Sequence, residues 1–387
     1  MMKRYLAIHL LLLILQTNGQ KTRKNWSQKS LELDGDGTFG LCENEFGQSY
    51  YFKEYEGQEN LCLKHVAKVK YSNLINETGW AYVEVEVSPR ITQPYRQGYA
   101  AGFVEGRATR ELIRLHVANT VDGFCDGAEQ FCDDLNEYLM DNYLWMQENI
   151  ASYPDDHYWN QVNVTLNQLM GMIDGYEGKL GRTLSAEEIV THPLYLLQLA
   201  GDIEDLSVKF RKPETQRSLL AGNGHCSALI KLLPDFSDIY FSHVTWSSYS
   251  TMLRMQKKYT FATGDPGRSY SFSGYPGTIA SNDDFVLTSA RLAILETTIS
   301  NYNERLLRYI TPNSVLCWLR AQVLERISFC QVAHRTSSSG LQWAKTFSKF
   351  NSGTYNNQWN ILDYKVFKKR RFDHPSHGLL HVLEQLP

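Results

Sequence analysis

In the segment from Trp80 to Val87, the valines at 83, 85 and 87 alternate with Glu84 and Glu86. A period of two residues predicts a strand with one buried face and one wet face. Short apolar runs bounded by turn residues predict four more strands. These runs cover residues 269–272, 285–289, 292–298 and 359–364.

From Gln97 the period becomes helical, and Gly98, Gly102 and Gly106 recur every four residues. Small residues on one helix face let a neighbouring element approach closely, while the charge of Arg107 excludes a lipid-facing helix here. The pattern therefore predicts a tight contact between packed helices.

Longer helical patterns follow this segment. Ser185 and Glu188 have the spacing of a capping box. Pro193, eight residues after Ser185, predicts a kink or a break in the same helix. The polar stretch 209–224 is expected to be an exposed linker. The predicted helices cover 128–150, 157–177, 185–207, 247–259, 312–326 and 341–349.

A β-hairpin is predicted to begin at Cys226, with strand-like runs at 227–233 and 239–246 joined by a turn at 234–238. Strands in runs, with helices gathered before and after them, predict a layered α+β architecture.

The chain of 387 residues is 43% hydrophobic, enough for a large core in one large domain or two smaller ones. Its formal charge of -3 provides no basic field, so no nucleic-acid partner is expected.

The first residues have the pattern of a secretory signal peptide. Lys3 and Arg4 precede the apolar run Leu6–Leu15, and the small residues Thr17 and Gly19 follow. A membrane anchor is the alternative, but a spanning helix needs about 20 apolar residues. We expect cleavage after Gly19 and a mature protein without a transmembrane segment. Three sequons then become glycosylation candidates, at Asn25, Asn76 and Asn163.

Seven cysteines in an oxidising compartment leave one thiol without an intrachain partner, since the number is odd. Sequence alone does not fix the connectivity. Neighbours in sequence suggest Cys42 with Cys62, Cys125 with Cys132, and Cys317 with Cys330.

Cys226 follows two glycines at the predicted loop-to-strand boundary, and His243 lies 17 residues further on, in the facing strand. A thiol near a histidine is the minimum for nucleophilic catalysis. A buried structural cysteine beside an unrelated histidine would give the same pattern. Papain-like and caspase-like signatures are absent.

No cofactor and no metal site are predicted. His374, His377 and His381 have helical spacing, but Pro375 and Gly378 disfavour a regular helix there.

Several motifs together resemble the phospholipase B-like family, a lysosomal and secreted group that includes the laminin-ancestor proteins. The similarity runs in family order from about residue 40 to the end. The motifs are residues 99–106, 226–231 with His243 and Trp246, 273–278, 283–285, 296–298 and 350–359.

The resemblance implies an N-terminal-nucleophile hydrolase with a four-layer αββα sandwich, acting on phospholipids or other acylated small molecules. It also implies self-cleavage of the His225–Cys226 bond. Residues 20–225 would then form a released fragment, and 226–387 the start of the catalytic segment, with both staying associated. An amidase of the same fold remains an alternative.

The resemblance further implies pocket roles for individual residues. His243 would orient or polarise, the Trp246 indole would donate a hydrogen bond, and Thr298 would hold the substrate carbonyl. Asn356 and Asn357 are weaker pocket candidates, because asparagines in turns often satisfy only their own backbone. Trp246 could equally be a core-packing residue. Thr298 could equally be an ordinary strand residue.

The sequence departs from the family in two places. It ends within the family's pattern, which predicts a C-terminally truncated isoform or an incomplete gene model and an incomplete sandwich. The stretch 326–338 looks inserted, which weakens the Cys317–Cys330 pairing. A catalytically inactive secreted binding protein is therefore a second hypothesis.

Overall fold

The structure is a computed structural model of the chain. It describes residues 36–44, 50–55, 62, 64–212, 225–299, 301–320, 334, 337–369 and 377–387. The expected signal peptide, the sequon at Asn25, Cys330, the linker from residue 213 and His374 lie outside these residues.

Ten strands form one large sheet in the order β12-β11-β10-β9-β8-β7-β4-β3-β1-β2, and β5 and β6 form a separate hairpin. Neighbours in the large sheet are antiparallel except β4 and β7, which run parallel. The strands are β1 (Gly37–Glu43), β2 (Tyr50–Glu54), β3 (His65–Leu74), β4 (Trp80–Val87), β5 (His225–Leu232), β6 (Ile239–Trp246), β7 (Arg254–Thr260), β8 (Ser269–Gly274), β9 (Phe285–Thr288), β10 (Leu292–Thr298), β11 (Asn357–Asp363) and β12 (Leu380–Glu384).

Most of the helical residues lie between β4 and β5. The helices are α1 (Ile75–Thr78), α2 (Pro94–Ala108), α3 (Arg110–Thr120), α4 (Glu129–Ser152), α5 (His157–Glu177), α6 (Ala186–Val190), α7 (Pro193–Gln198), α8 (Asp202–Lys209), α9 (Cys317–Arg320) and α10 (Gly340–Phe347). No helix in the described part of the chain is long and apolar enough to cross a membrane.

Most predicted elements are confirmed, including the strand at 80–87, the hairpin at Cys226 and the helix at 157–177. The capping box at Ser185 forms, and Pro193 takes the first position of a new helix, so the predicted helix 185–207 is three short ones. Of the predicted helix 312–326, the structure describes residues 312–320, and these contain α9. Strands β1 to β3 and β12 had no sequence prediction.

The predicted helix at 247–259 is wrong. A 3-10 turn at Tyr249–Thr251 leads into β7, which lies between β4 and β8 in the middle of the sheet. Met255 and Tyr259 point inward with Lys257 between them, and all three are buried. The lysine at an inward position conceals the two-residue period that would have indicated a strand.

Helices and hairpin cover opposite faces of the large sheet. On β10 and β11, Ile294 and Ile361 pack with α10, whereas Ala293 and Leu362 pack with hairpin residues such as Ile239. Because successive strand residues point to opposite faces, the order of layers is helices, ten-stranded sheet and two-stranded sheet. The fold is thus mixed α and β, and the four-layer sandwich stays a prediction.

The glycine pattern in α2 has the predicted role. A Cβ atom built on Gly102 would lie 1.8 Å from the carbonyl oxygen of Gln168 in α5, and one on Gly106 would lie 2.3 Å from that of Met172. Gly171 and Gly175 of α5 face α2 in the same way. The two helix backbones therefore approach as closely as they do because both lack side chains at the crossing.

Replacing Gly102 by Ala should destabilise the chain by about 1–3 kcal/mol, since overpacking exceeds the gain in helix propensity of about 1 kcal/mol. Urea unfolding followed by circular dichroism measures the change. Gly264→Ala is the matched control, because nothing lies within 4 Å of a Cβ there. Equal stabilities of the two variants would contradict the close approach.

Two predicted disulfides are present, Cys42–Cys62 and Cys125–Cys132. Such bonds suit an oxidising compartment. The predicted sequons differ in accessibility: Asn76 is exposed, whereas Asn163 is half-buried within α5 and its Oδ1 accepts a hydrogen bond from Asn167 at 2.8 Å.

Candidate active site

The hairpin places Cys226 at the second residue of β5, opposite Thr245 of β6. The thiol is half-buried and forms no disulfide with any cysteine that the structure describes. Its sulfur lies 3.9 Å from Oε1 of Glu296, which projects from β10. The predicted odd thiol therefore lies where the hairpin meets the large sheet.

His243 lies on β6 close to this thiol, and its ring is held on both sides. Nε2 lies 2.9 Å from the main-chain carbonyl oxygen of Glu296, and Nδ1 lies 3.4 Å from the hydroxyl of Thr245. A carbonyl oxygen only accepts hydrogen bonds, so Nε2 carries the proton and Nδ1 keeps its lone pair. Burial lowers the pKa of His243, which favours this neutral form.

Glu296 and Asp284 form a buried carboxyl pair beside the thiol. Burial raises the pKa of Asp284 to about 7, and burial together with Asp284 raises the pKa of Glu296 well above its usual range. The Tyr355 hydroxyl donates to Asp284 and also reaches Glu296 at 3.5 Å. Asp284 and Tyr355 both adopt positive φ, 52° and 53°, a strained conformation that is typical of functional sites.

A second group of polar contacts lies behind the first. Asp283 accepts hydrogen bonds from Arg254 and, at 2.6 Å, from the hydroxyl of Tyr275. Tyr275 stacks on His116 with the ring centroids 5.6 Å apart. Burial, followed by the charge of Lys257, lowers the pKa of His116 to about 3, so this imidazole is neutral at physiological pH.

The surroundings of Cys226 disfavour its thiolate. Burial and the carboxyl groups of Glu296 and Asp284 raise the pKa of the Cys226 thiol, while a backbone hydrogen bond involving Trp246 acts in the opposite direction. A protonated thiol is a poor nucleophile. The sulfur therefore needs a base to react.

The thiol opens into a cleft of about 70 Å³ between the hairpin and the helices. Trp246 and Thr298 line this cleft with Cys226, as two of the sequence-predicted pocket residues. Trp246 is 56% exposed, so it is not a core residue. This volume is small beside the roughly 300–1,000 Å³ of typical small-molecule pockets.

Asn356 and Asn357 are fully buried beside the end of β10 and do not line the cleft. Asn357 lies opposite Thr298 in the sheet. Among the described residues, neither the amide nitrogen nor the amide oxygen of Asn357 has a hydrogen-bond partner, nor does Oδ1 of Asn356. Asn356 donates to the carbonyl oxygen of Gly353 at 3.0 Å, which is a local turn contact.

The sequence prediction missed several residues of the site, above all Glu296, Asp284 and Tyr355. A signal was present for Glu296, because it stands at the end of an otherwise apolar strand, Leu292 to Leu295. An acid in such a run is either exposed or buried for a chemical reason. Its burial at 0% exposure decides for the second alternative.

The carboxyl pair gives a prediction for stability. A carboxyl whose pKa is raised on folding contributes stability at acidic pH, and this contribution is lost as the pH rises through its folded value. For Asp284 that value is about 7. His116 and His243, whose pKa values are lowered, act in the opposite direction as the pH falls below about 6.5.

Asp284→Asn should therefore lose less stability than the wild type between about pH 5 and about pH 8, by on the order of a few kcal/mol. Comparing variant and wild type cancels the histidine contributions, which both proteins share. Urea unfolding at each pH measures the difference, and Asp155→Asn, at an exposed position, is the control. Parallel pH profiles for Asp284→Asn and wild type would show that this carboxyl is not the one that titrates.

Comparison with known proteins connects this site to one family. The family model described as phospholipase B matches residues 67–387. The chain is 56% identical over 352 residues to "Putative phospholipase B-like 1" of Caenorhabditis elegans, covering 90% of this chain and 60% of the relative. It is 44% identical over 337 residues to "Putative phospholipase B-like 2" of Homo sapiens, covering 83% of this chain and 55% of the relative.

Architecture and site together define a mixed α and β protein with a cleft in which the Cys226 thiol lies beside His243 and a buried carboxyl pair. The chain belongs to the phospholipase B-like family. It spans between 55% and 60% of the length of these two relatives.

Proposed function

We propose that this protein is a lumenal or secreted hydrolase that removes acyl chains from phospholipids, with Cys226 as its nucleophile. The observation that carries the proposal is the position of a half-buried thiol, in no disulfide, in a cleft beside His243 and Glu296. Membership in a family named for phospholipase B supports the substrate class.

In the proposed reaction the nucleophile is generated by self-cleavage. The thiol of Cys226 attacks the carbonyl carbon of His225, the peptide C–N bond breaks, and the amide nitrogen leaves as the new α-amino group. Water then hydrolyses the resulting thioester to a carboxylate at residue 225 and restores the thiol. The α-amino group, with a pKa near 8, is basic enough to take the thiol proton in later turnovers.

This scheme answers the problem posed by the raised pKa of the Cys226 thiol. An α-ammonium group on the same residue would place a positive charge beside the sulfur, which stabilises the thiolate against the nearby carboxylates. In acyl transfer, Trp246 and Thr298 would bind the substrate carbonyl from the cleft wall, and His243 Nδ1 would accept a hydrogen bond.

The carboxyl pair would serve the same site at acidic pH. When Asp284 and Glu296 share a proton, the negative charge next to Cys226 is reduced, and the cleft can accept the ester of a substrate with less repulsion. A lysosomal or secreted location is part of this proposal.

Sequencing of the new amino terminus tests the proposal. The full chain, expressed through the secretory pathway and separated under reducing conditions, should give one piece that ends at His225 and another that begins with Cys226. The two pieces should co-elute without denaturant. A wild-type chain that remains whole at acidic pH would overturn the self-cleaving mechanism.

Two alternatives give different results in the same preparation. An amidase would cleave itself and hydrolyse N-acyl amides in preference to phospholipids, since the chemistry of the nucleophile suits both bonds. A binding protein without catalysis would remain whole and release no fatty acid.

A further inference from the structure

Cys226, His243 and Glu296 offer three different metal-binding atoms in one place. The thiol sulfur, a ring nitrogen and a carboxylate oxygen all lie within 4.8 Å of one another. In a tetrahedral zinc site, bonds of about 2.3 Å to sulfur and 2.0 Å to nitrogen or oxygen place neighbouring ligand atoms about 3.3–3.5 Å apart. The sulfur and Oε1 of Glu296 are already 3.9 Å apart, so small side-chain movements complete the geometry.

The ligand types favour zinc over other common divalent ions. Magnesium and calcium prefer oxygen ligands alone, whereas thiolate together with imidazole suits zinc. Three protein ligands leave a fourth position for water, the arrangement found in open zinc sites.

The electrostatics of the cleft also favour a dication. Glu296 is fully buried, and its Oε2 has no hydrogen-bond partner in the part of the chain that the structure describes. Asp283 and Asp284 lie close enough to Cys226 to act on its charge, and Asp283 is paired with Arg254. A thiolate and a Glu296 carboxylate would together carry a charge that Zn²⁺ neutralises.

The environment of His243 resembles that of a metal-binding histidine. Such residues donate their second ring N–H to a carbonyl or a carboxylate, which fixes the ring. In this protein Nε2 donates to the main-chain carbonyl of Glu296 at 2.9 Å, and the nitrogen without a proton is the one that can bind a metal.

We propose that Cys226, His243 and Glu296 bind one Zn²⁺ with a water molecule as the fourth ligand. Binding releases the thiol proton and any proton held by Glu296, and it changes no oxidation state. Since the metal occupies the sulfur lone pair, bound zinc would inhibit a reaction at Cys226. This inhibition rests on the proposed function, whereas metal binding depends only on the three side chains.

Alkylation of the native full chain provides a test that needs no substitution. Iodoacetamide should modify Cys226 slowly, since the thiol is mostly protonated, and peptide mass spectrometry follows the reaction. Saturating Zn²⁺ should slow this modification further, at least about tenfold. Removal of the metal with EDTA should restore the original rate. An unchanged alkylation rate at saturating Zn²⁺ would overturn the proposal.

Substitutions identify the ligands. Glu296→Gln keeps the shape of the side chain and should weaken Zn²⁺ binding at least about tenfold, measured by competition with a chromophoric chelator. Glu204→Gln, in the same cleft, should leave the affinity unchanged. In the Co²⁺-substituted chain, the sulfur-to-cobalt absorption band should vanish in Cys226→Ser.

A band that persists in Cys226→Ser, or an unchanged affinity in Glu296→Gln, would place the metal elsewhere and overturn the assignment. Near-ultraviolet circular dichroism of each variant checks that the fold is retained. A chain that binds zinc at these residues, yet stays whole after EDTA has removed the metal, would refute the proposed function and leave the metal site intact. A chain that cleaves itself, but in which zinc does not protect Cys226 from alkylation, would refute the metal site and leave the proposed function intact.

Discussion

Replacing Cys226 by Ala is expected to leave the chain uncut between His225 and Cys226 and to abolish acyl hydrolysis. The substitution removes the only atom that attacks in both reactions, and losses at a nucleophile are typically about a thousandfold or more. Gel electrophoresis under reducing conditions measures the first effect, and release of fatty acid from phosphatidylcholine measures the second.

Cys317→Ala is the matched control, because this cysteine is buried in the cluster formed by β10, β11 and α10 rather than in the cleft. It should cleave and hydrolyse like the wild type. Cys226→Ser should retain the fold and react much more slowly, since a hydroxyl is harder to ionise than a thiol. Full cleavage in Cys226→Ala would show that another residue, or a contaminating protease, cuts the chain.

Replacing Lys257 by Met is expected to cause the largest loss of stability, about 3–5 kcal/mol, because it leaves a charge buried without its partner. Lys257 and Glu105 are both fully buried, with 2.7 Å between Nζ and Oε1. The ammonium group also donates to the carbonyl oxygen of Thr278, and Tyr259 donates to Glu105. The pair connects β7 to α2 through the centre of the core.

The neighbouring residue provides the control. Lys258 forms an ion pair with Glu84 at 2.6 Å, but both side chains are nearly half exposed, so Lys258→Met should cost less than about 1 kcal/mol. The double variant Glu105→Leu/Lys257→Met should recover much of the lost stability, since it removes both charges. Urea unfolding measures all three, and equal losses for Lys257→Met and Lys258→Met would show that burial does not decide the effect.

The same residue shows why part of the fold was not predictable. Lys257 interrupts the apolar face of β7, and its partner Glu105 lies 152 residues earlier in the chain. A local pattern contains no information about a partner so distant, and the residues around Lys257 by themselves predict a helix. Strands β1 to β3 had no clear period either, and their pairing in the sheet stabilises them.

Local chemistry was sufficient elsewhere. Helix α5 begins at the residue after Asp156, whose side chain accepts from the backbone N–H of Trp159. The spacing of the glycines in α2 predicts a close helix crossing, because a sequence shows directly which positions have no side chain. The hairpin at Cys226 followed from two apolar runs with a turn between them.

By itself, the sequence determined the family, the thiol at Cys226, the facing His243 and most helices and strands, since each depends on neighbouring residues or on an order of motifs that matches the family. Tertiary structure alone placed Glu296 beside Cys226, across 70 residues, and Tyr355 beside Asp284, across 71. Burial raises the pKa values of these acids and disfavours the thiolate. The burial of these particular groups results from the packing of the layers, and no single stretch of sequence determines it.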